Sequence, residues 1–110
     1  MSCYNPTVPS SPPQNVMVTS IEPALLMVSW QPPMQINHNG QITDYVINYT
    51  RVGSNDMNET VISETTTTYT ISKLVAYVNY SVTVAAVNVN GTGPFSSPVV
   101  QLSGENSESN

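Results

Sequence analysis

The single histidine of the sequence is the first residue to consider for chemistry, because an imidazole can act as a general base near neutral pH. His38 stands between Asn37 and Asn39, in a segment rich in turn-forming residues, with no acidic residue close to it in the sequence. A hydrolase site needs a nucleophile, a base and a group that orients the base. The sequence supplies no such set around His38 and predicts an ordinary loop residue there.

The acidic residues are densest at Asp56, Glu59 and Glu64. They could bind a calcium ion only if a loop folded them together, and a solvent-exposed hairpin is the more ordinary interpretation. The sequence also lacks the Cys and His spacing of metal sites and the glycine-rich loop of phosphate-binding sites. We therefore predict no metal, no cofactor and no enzymatic activity for this chain.

The charge balance excludes two classes of partner. The formal net charge is -5, and Arg51 and Lys73 are the only cationic residues. Two cations cannot neutralise a phosphate backbone or an anionic bilayer, so we expect neither nucleic-acid binding nor direct membrane binding. The longest apolar run, from Ala24 to Val28, is also far too short for a membrane span, which needs about 20 residues.

Cys3 is the only cysteine, so a disulfide within the chain is impossible. This excludes small disulfide-rich scaffolds and the Cys…Trp…Cys arrangement of antibody domains. A chain of 110 residues can nevertheless bury about two-thirds of its unfolded surface. We expect a single domain that folds, as a monomer, without a metal or a cross-link.

The organisation of the chain follows from its composition. Residues 1–11 are rich in Pro and Ser without an apolar period and predict a flexible linker. Residues 104–110 contain no apolar side chain and predict a disordered tail. The folded domain is expected over residues 12–103.

Inside that domain the apolar residues alternate with a period of two, which is the period of β-strands. Turn-forming pairs such as Asn39-Gly40 and the run from Asn90 to Pro94 separate the strands. Seven short strands at this spacing predict an antiparallel sandwich. The last strand, near Val99 to Leu102, has an open register, because Val99, Val100 and Leu102 disagree about which face is buried. The other strands centre on Val16 and Val18, on Leu26 to Trp30, on Tyr45 to Tyr49, on Val61 to Glu64, on Thr68 to Ile71 and on Tyr80 to Ala86.

Several motifs now resemble one known family, the fibronectin type III domain. The segment from Val28 to Pro33 resembles the family's signature at the end of the second strand, and Leu74 followed six residues later by Tyr80 resembles its tyrosine corner. Ala76 and Val78 stand where the family often has Pro and Thr. The resemblance covers about 90 residues; it further rests on Ile42, Tyr45, Ile47 and Tyr49, on the segment from Tyr80 to Asn88, and on Gly91, Gly93 to Ser96 and Pro98-Val99.

The resemblance implies an all-β, seven-stranded, immunoglobulin-like sandwich of fibronectin type III topology without a disulfide. We expect Trp30 to fill the centre of the core and the Tyr80 hydroxyl to bond to the backbone near Leu74. The residues expected in the core are Trp30, Tyr45, Ile47, Tyr49, Leu74, Tyr80, Val82 and Val84.

Four Asn-x-Ser/Thr sequons, at Asn48, Asn58, Asn79 and Asn90, are candidate N-glycosylation sites. The strand alternation predicts that Asn48 and Asn79 face solvent. Together with the low content of charged residues, the sequons favour an extracellular location.

The resemblance implies a spacer and protein-interaction module in the extracellular region of a cell-surface receptor or adhesion protein, of the neural adhesion or receptor-type tyrosine phosphatase type. A secreted matrix protein, or an enzyme with its catalytic domain elsewhere in the chain, remains an alternative parent. The expected partners are neighbouring domains of the same chain and another cell-surface or matrix protein. Loops carry recognition on such sandwiches, and the candidate interaction residues are His38, Asn39, Asn90, Thr92 and Phe95, in loops expected at the same end of the sandwich.

Overall fold

The computed structural model describes residues 7–34 and 38–104. Cys3 and the first part of the predicted linker, together with residues 105–110 of the predicted tail, lie outside the described residues. Within these ranges the regular structure consists of strands. They are β1 (Gln14–Glu22), β2 (Leu25–Gln31), β3 (Asp44–Arg51), β4 (Met57–Ser63), β5 (Thr68–Ile71), β6 (Asn79–Asn88), β7 (Gly91–Phe95) and β8 (Val99–Leu102).

The strands form two antiparallel sheets. One has the order β1-β2-β5, and the other has the order β4-β3-β6-β7, with β8 also pairing with β6. The inward-facing side chains alternate along each strand and meet in one core between the sheets. The predicted all-β sandwich is confirmed.

The described strands number eight, where the sequence predicts seven, because the edge of β6 has two partners. β7 pairs with residues 85–88 of β6, and β8 pairs with residues 79–82. Ser96 spans the gap: its backbone N–H donates to the carbonyl of Val84 at 2.8 Å, and its hydroxyl accepts from the Val84 N–H at 3.0 Å. Pro98 has no N–H to donate, so the ladder breaks there. The glycine-rich segment predicted as a loop is thus partly a strand.

The structure also decides the register of β8. Val99 pairs with Val82 and packs against the core, whereas Val100 is 56% exposed. The strand therefore turns the half-buried Val99 toward the core and Val100 toward solvent.

The outer face of the larger sheet is more closed than the alternation predicts. Val46, which points away from the core, is only 4% exposed, and the Asn48 Oδ1 is buried without a hydrogen-bond partner in the described residues. β3 is flanked on both sides, by β4 and β6, so neighbouring side chains cover its outward positions. Asn48 is therefore half-buried, which corrects the expectation that it faces solvent.

Candidate functional site

The residues expected to organise the core lie in it. Trp30 is 3% exposed and makes an edge-on contact with Tyr45, with ring centroids 5.4 Å apart. This geometry is a favourable one for aromatic pairs. Tyr49 and Leu74 are half-buried at the periphery of the cluster. The remaining members of the predicted set, Tyr45, Ile47, Tyr80, Val82 and Val84, are all buried.

The corner at Leu74 to Tyr80 closes through one hydrogen bond. The backbone N–H of Val75 donates to the Tyr80 hydroxyl at 2.9 Å. Tyr80 begins the buried part of β6, so this bond ties the preceding crossover to the central strand. Ala76 and Val78 do not prevent the corner from forming.

The structure brings three of the five candidate interaction residues together at one end of the sandwich. His38 and Asn39 precede β3, and Asn90 lies in the turn between β6 and β7. Thr92 and Phe95 lie farther along β7 and are exposed; Phe95 pairs with Ala85. The two loops therefore share an end, but Phe95 belongs to the side of the sheet.

Asn88 joins these loops, and sequence reasoning missed it. Its side chain is buried at the end of β6, 2% exposed, and its Nδ2 lies 3.0 Å from the His38 carbonyl, 3.1 Å from the Asn39 carbonyl and 2.8 Å from the Thr7 carbonyl. Its Oδ1 accepts from the Asn90 N–H at 2.8 Å. Asn88 follows Val84 and Ala86 at the alternating positions of β6 that face the core. A polar residue at such a position was the signal that could have identified it, since a buried amide needs hydrogen-bond partners.

The segment before β1 is part of this end. Pro9 is buried, and a side chain at Gly93 would place its Cβ 2.5 Å from the Pro9 carbonyl oxygen. Asn39 Nδ2 donates to the Val8 carbonyl at 2.9 Å, and Asn90 Nδ2 donates to the Thr7 carbonyl at 3.1 Å. Residues 7–9 thus lie against the loops, which differs from the flexible linker predicted for residues 1–11.

A groove of about 600 Å³ opens beside these loops. His38 lines it, but its Nε2 lies 2.8 Å from the Pro33 carbonyl and donates to it in the tautomer protonated on Nε2. Burial, and secondarily the negative charge of Glu64, raise the pKa of Tyr45, which also lines the groove. A histidine that bonds to a carbonyl and a neutral phenol do not make a nucleophile–base pair.

The described residues offer neither a metal site nor a membrane-spanning helix. Among residues 7–34 and 38–104, no three His, Cys, Asp or Glu side chains are grouped so as to hold a metal ion. In the same part of the chain, no helix has the length and apolar character needed to cross a bilayer.

The four sequons differ in their surroundings. Asn58 and Asn79 are exposed. Asn48 is half-buried, and the exposed Asn90 uses its amide to bond to Thr7. The structure therefore separates four sites that are equivalent in sequence.

The chain is similar to known proteins over most of its length. The model of the fibronectin type III domain family matches residues 11–101. The chain is 40% identical over 88 residues to human neogenin, covering 79% of this chain and 6% of neogenin. It is 37% identical over 97 residues to human receptor-type tyrosine-protein phosphatase F, covering 86% of this chain and 5% of the phosphatase. The chain thus spans a small fraction of the curated relatives it matches.

A solved structure extends the comparison to three dimensions. The crystal structure of the FN5 domain of Drosophila Lar superimposes with a TM-score of 0.71 and 26% sequence identity, over 86% of this chain and 99% of that domain. The family match over most of the chain, the relatives and the two-sheet topology agree with the resemblance seen in the sequence. This chain belongs to the fibronectin type III domain family.

Proposed function

We propose that this domain is a non-catalytic spacer and protein-interaction module in the extracellular region of a multi-domain cell-surface receptor or adhesion protein. The observation that carries the proposal is the kind of protein it matches. Neogenin, sidekick-1 and receptor-type tyrosine-protein phosphatase F each align with the chain over only 4–6% of their own length, as expected of one module among many.

The positions of the first and last described residues support a spacer role. Residues 7–9 lie at the end that holds Asn39, Asn88 and Gly93. The other end of the domain holds Ser103, whose carbonyl accepts hydrogen bonds from the N–H groups of Ala24 and Tyr77. Because the chain enters at one end and leaves at the other, successive modules would continue in line.

The interaction surface proposed for this domain is the outer side of the β6–β7 turn. Val89 is 81% exposed, and Asn90 and Thr92 are also exposed. An apolar side chain beside polar groups is a common recognition pattern on a loop, and β6 and β7 hold it rigidly. The inner side of the same turn is occupied by residues 7–9.

The parent protein enters the proposal through its relatives. One relative is named a receptor-type tyrosine-protein phosphatase. If the parent of this chain has such an activity, the catalytic residues belong to another domain, and this module contributes position and contacts only.

The extracellular location is tested with an epitope tag in the loop at residues 53–56 of the full-length parent. A Cβ added at Gly53 would meet no described heavy atom within 4 Å, so a tag inserted in this loop extends into open space. Antibody staining of intact cells is the expected result. Staining only after permeabilisation would contradict the proposed location.

The interaction surface is tested with Val89→Ser in the parent, which leaves the contacts of Asn88 and the sequon at Asn90 intact. We expect weaker adhesion between cells that express the parent, with an unchanged melting temperature of the isolated domain. The matched control is Val100→Ser, an exposed residue on β8 away from this turn. Equal adhesion by the wild-type, Val89→Ser and Val100→Ser proteins would contradict this interaction surface. Only the spacer role of the domain would then remain.

A further inference from the structure

The sandwich has an open edge where β4 of one sheet and β5 of the other lie without hydrogen bonds between them. β4 pairs only with β3 and β5 pairs only with β2, so these two edges face each other without a ladder between them. Asn58 of β4 lies directly opposite Tyr49 of β3, and residues opposite each other point to the same face of a sheet. Since Tyr49 packs against the core, Asn58 also points toward the inner side, but at an exposed edge.

A groove of about 360 Å³ lies at this edge. Two half-buried aromatic rings, Tyr49 and Tyr69, line it from opposite sheets, and both pack against the core. Its size is near the lower end of the range of about 300–1,000 Å³ found for small-molecule sites. The complete lining is Tyr49, Asn58, Tyr69, Ile71, Ser72, Lys73, Leu74 and Tyr80.

We propose that Asn58 carries an N-linked glycan whose first sugar lies in this groove, against the rings of Tyr49 and Tyr69. The inference rests on the proposed extracellular location, since only a chain that enters the secretory pathway meets the glycosylating enzyme. Asn58-Glu59-Thr60 is a complete sequon.

The surroundings of the four sequons favour Asn58. Its amide makes no hydrogen bond to another described residue, so Nδ2 is available without loss of a contact. The Asn48 amide has a buried Oδ1 on a central strand, and Asn90 donates to Thr7. Asn79 is exposed and is compatible with a glycan, but it is not among the residues of this groove.

The chemistry of attachment is a substitution at the sugar. The Asn58 Nδ2 forms a bond to the anomeric carbon of an oligosaccharide carried on a polyisoprenyl pyrophosphate. The bond between that carbon and the pyrophosphate oxygen breaks, the lipid pyrophosphate leaves with the electron pair, and the amide nitrogen loses one proton. The remaining N–H and the amide carbonyl keep the planar side chain.

The groove offers contacts both for the apolar C–H face of a sugar ring and for its polar hydroxyl groups. The C–H face of an amino sugar is apolar, and tyrosine rings offer an apolar body with a polar hydroxyl at the edge. The side chains of Ser72 and Lys73 are exposed at the rim and can bond to sugar hydroxyl groups. A sugar seated here would cover apolar surface at the edge where the two sheets separate.

Occupancy is tested by secreting the chain from animal cells behind a cleavable leader. The leader forces entry into the secretory pathway, so an unmodified Asn58 would count against the site and not against the natural location of the parent. We expect peptide mass spectrometry to find a glycan on Asn58, and Asn58→Gln to lose one glycan mass. Asn48→Gln is the matched control and should leave the mass of the attached glycan unchanged. A secreted protein with a bare Asn58 overturns the proposal.

The position of the first sugar is tested in a single-sequon protein carrying Thr50→Ala, Asn79→Gln and Thr92→Ala. Trimming the glycan to its first sugar should preserve the melting temperature, whereas removing that sugar should lower it by a few degrees. Complete enzymatic release converts the asparagine to aspartate, so the reference is the unglycosylated Asn58→Asp variant.

The aromatic contact is then tested by adding Tyr69→Leu to the single-sequon protein. We expect the difference in melting temperature between the one-sugar and sugar-free forms to disappear. Phe95→Leu, at an exposed site on another edge, should keep that difference. The same difference with and without Tyr69 would show that the sugar does not lie in the groove.

Discussion

At the scale of single residues, Trp30 contributes the largest side chain to the core. It is buried and packs edge-on against Tyr45, and its indole Nε1 has no described hydrogen-bond partner. Its contribution is therefore apolar contact and shape, and not a polar interaction.

Replacing Trp30 with Ala should lower the free energy of unfolding by about 3–5 kcal/mol, because it removes a large buried ring and leaves a cavity. Urea titration followed by tyrosine fluorescence measures the change. Trp30→Phe is the matched variant and should cost less, since it keeps a ring and removes an unpartnered N–H. Equal losses for the two variants would contradict this account of Trp30.

Tyr80 contributes both a ring and a hydroxyl. Tyr80→Phe keeps the ring and its contact with Tyr49 but removes the acceptor of the Val75 N–H. We expect a loss of about 1–2 kcal/mol in the free energy of unfolding, at the lower end because Val75 is exposed and water can replace the hydroxyl. A loss as large as that of Trp30→Ala in the same titration would mean that the corner has a role beyond this bond.

The raised pKa values of the Tyr45 and Tyr49 phenols predict that the domain loses stability at alkaline pH. Burial is the main cause that raises the pKa of both phenols above the ordinary value of 10.0; the charge of Glu64 adds to it for Tyr45, and those of Tyr69 and Tyr80 for Tyr49. The folded state therefore holds these protons more tightly than the unfolded state, so stability is complete below pH 10 and falls as pH rises through the folded pKa. Denaturant titrations from pH 8 to pH 11 should show this decline, and Tyr49→Phe should reduce it. A flat profile above pH 10 would contradict the prediction.

At the scale of elements, the end of β6 determines how three segments meet. Asn88 bonds to the loop before β3 through His38 and Asn39, and to the segment before β1 through Thr7. One buried amide thus stabilises an end that consists of turns.

Replacing Asn88 with Ala should lower the free energy of unfolding by about 1–3 kcal/mol, because the carbonyl groups of Thr7, His38 and Asn39 lose the donor that they share. The backbone amides of residues 38–40 and 90–92 should also exchange faster with solvent, as measured by hydrogen exchange. Asn90→Ala is the control: it is exposed and shares only the Thr7 contact, so it should cost less. Unchanged exchange in Asn88→Ala would show that the turns hold their own shape.

At the scale of the whole molecule, the buried side chains of the two sheets form one apolar cluster, and no three His, Cys, Asp or Glu side chains in the described part of the chain are grouped so as to hold a metal ion. The free energy of folding then comes mainly from apolar burial between two sheets. The stability of the domain should therefore not depend on metal ions or on reducing agents.

Thermal melts of the isolated domain with and without a chelator should superimpose, and so should melts with and without a reductant. The measurement is circular dichroism, together with light scattering, which should report a monomer. A decrease in the melting temperature with the chelator would reveal a metal site. A decrease with the reductant would indicate a disulfide between two chains through Cys3.

The sequence by itself determined the class of the fold and the identity of the core. Alternation along a strand is a local property, so Leu26, Val28 and Trp30 indicate a buried face without knowledge of their neighbours. The corner was also visible, because Leu74 and Tyr80 belong to one short crossover. The candidate loops could be located for the same reason, since turn residues mark them locally.

Only the tertiary structure decided which segments meet. The bond from Asn88 to Thr7 joins residues 81 positions apart, and no local pattern in the sequence predicts it. The division of one edge of β6 between β7 and β8, and the placement of Asn58 beside Tyr69 of the other sheet, are likewise long-range. Such contacts depend on how two sheets twist and stack, and on which strand of each sheet is left at the edge.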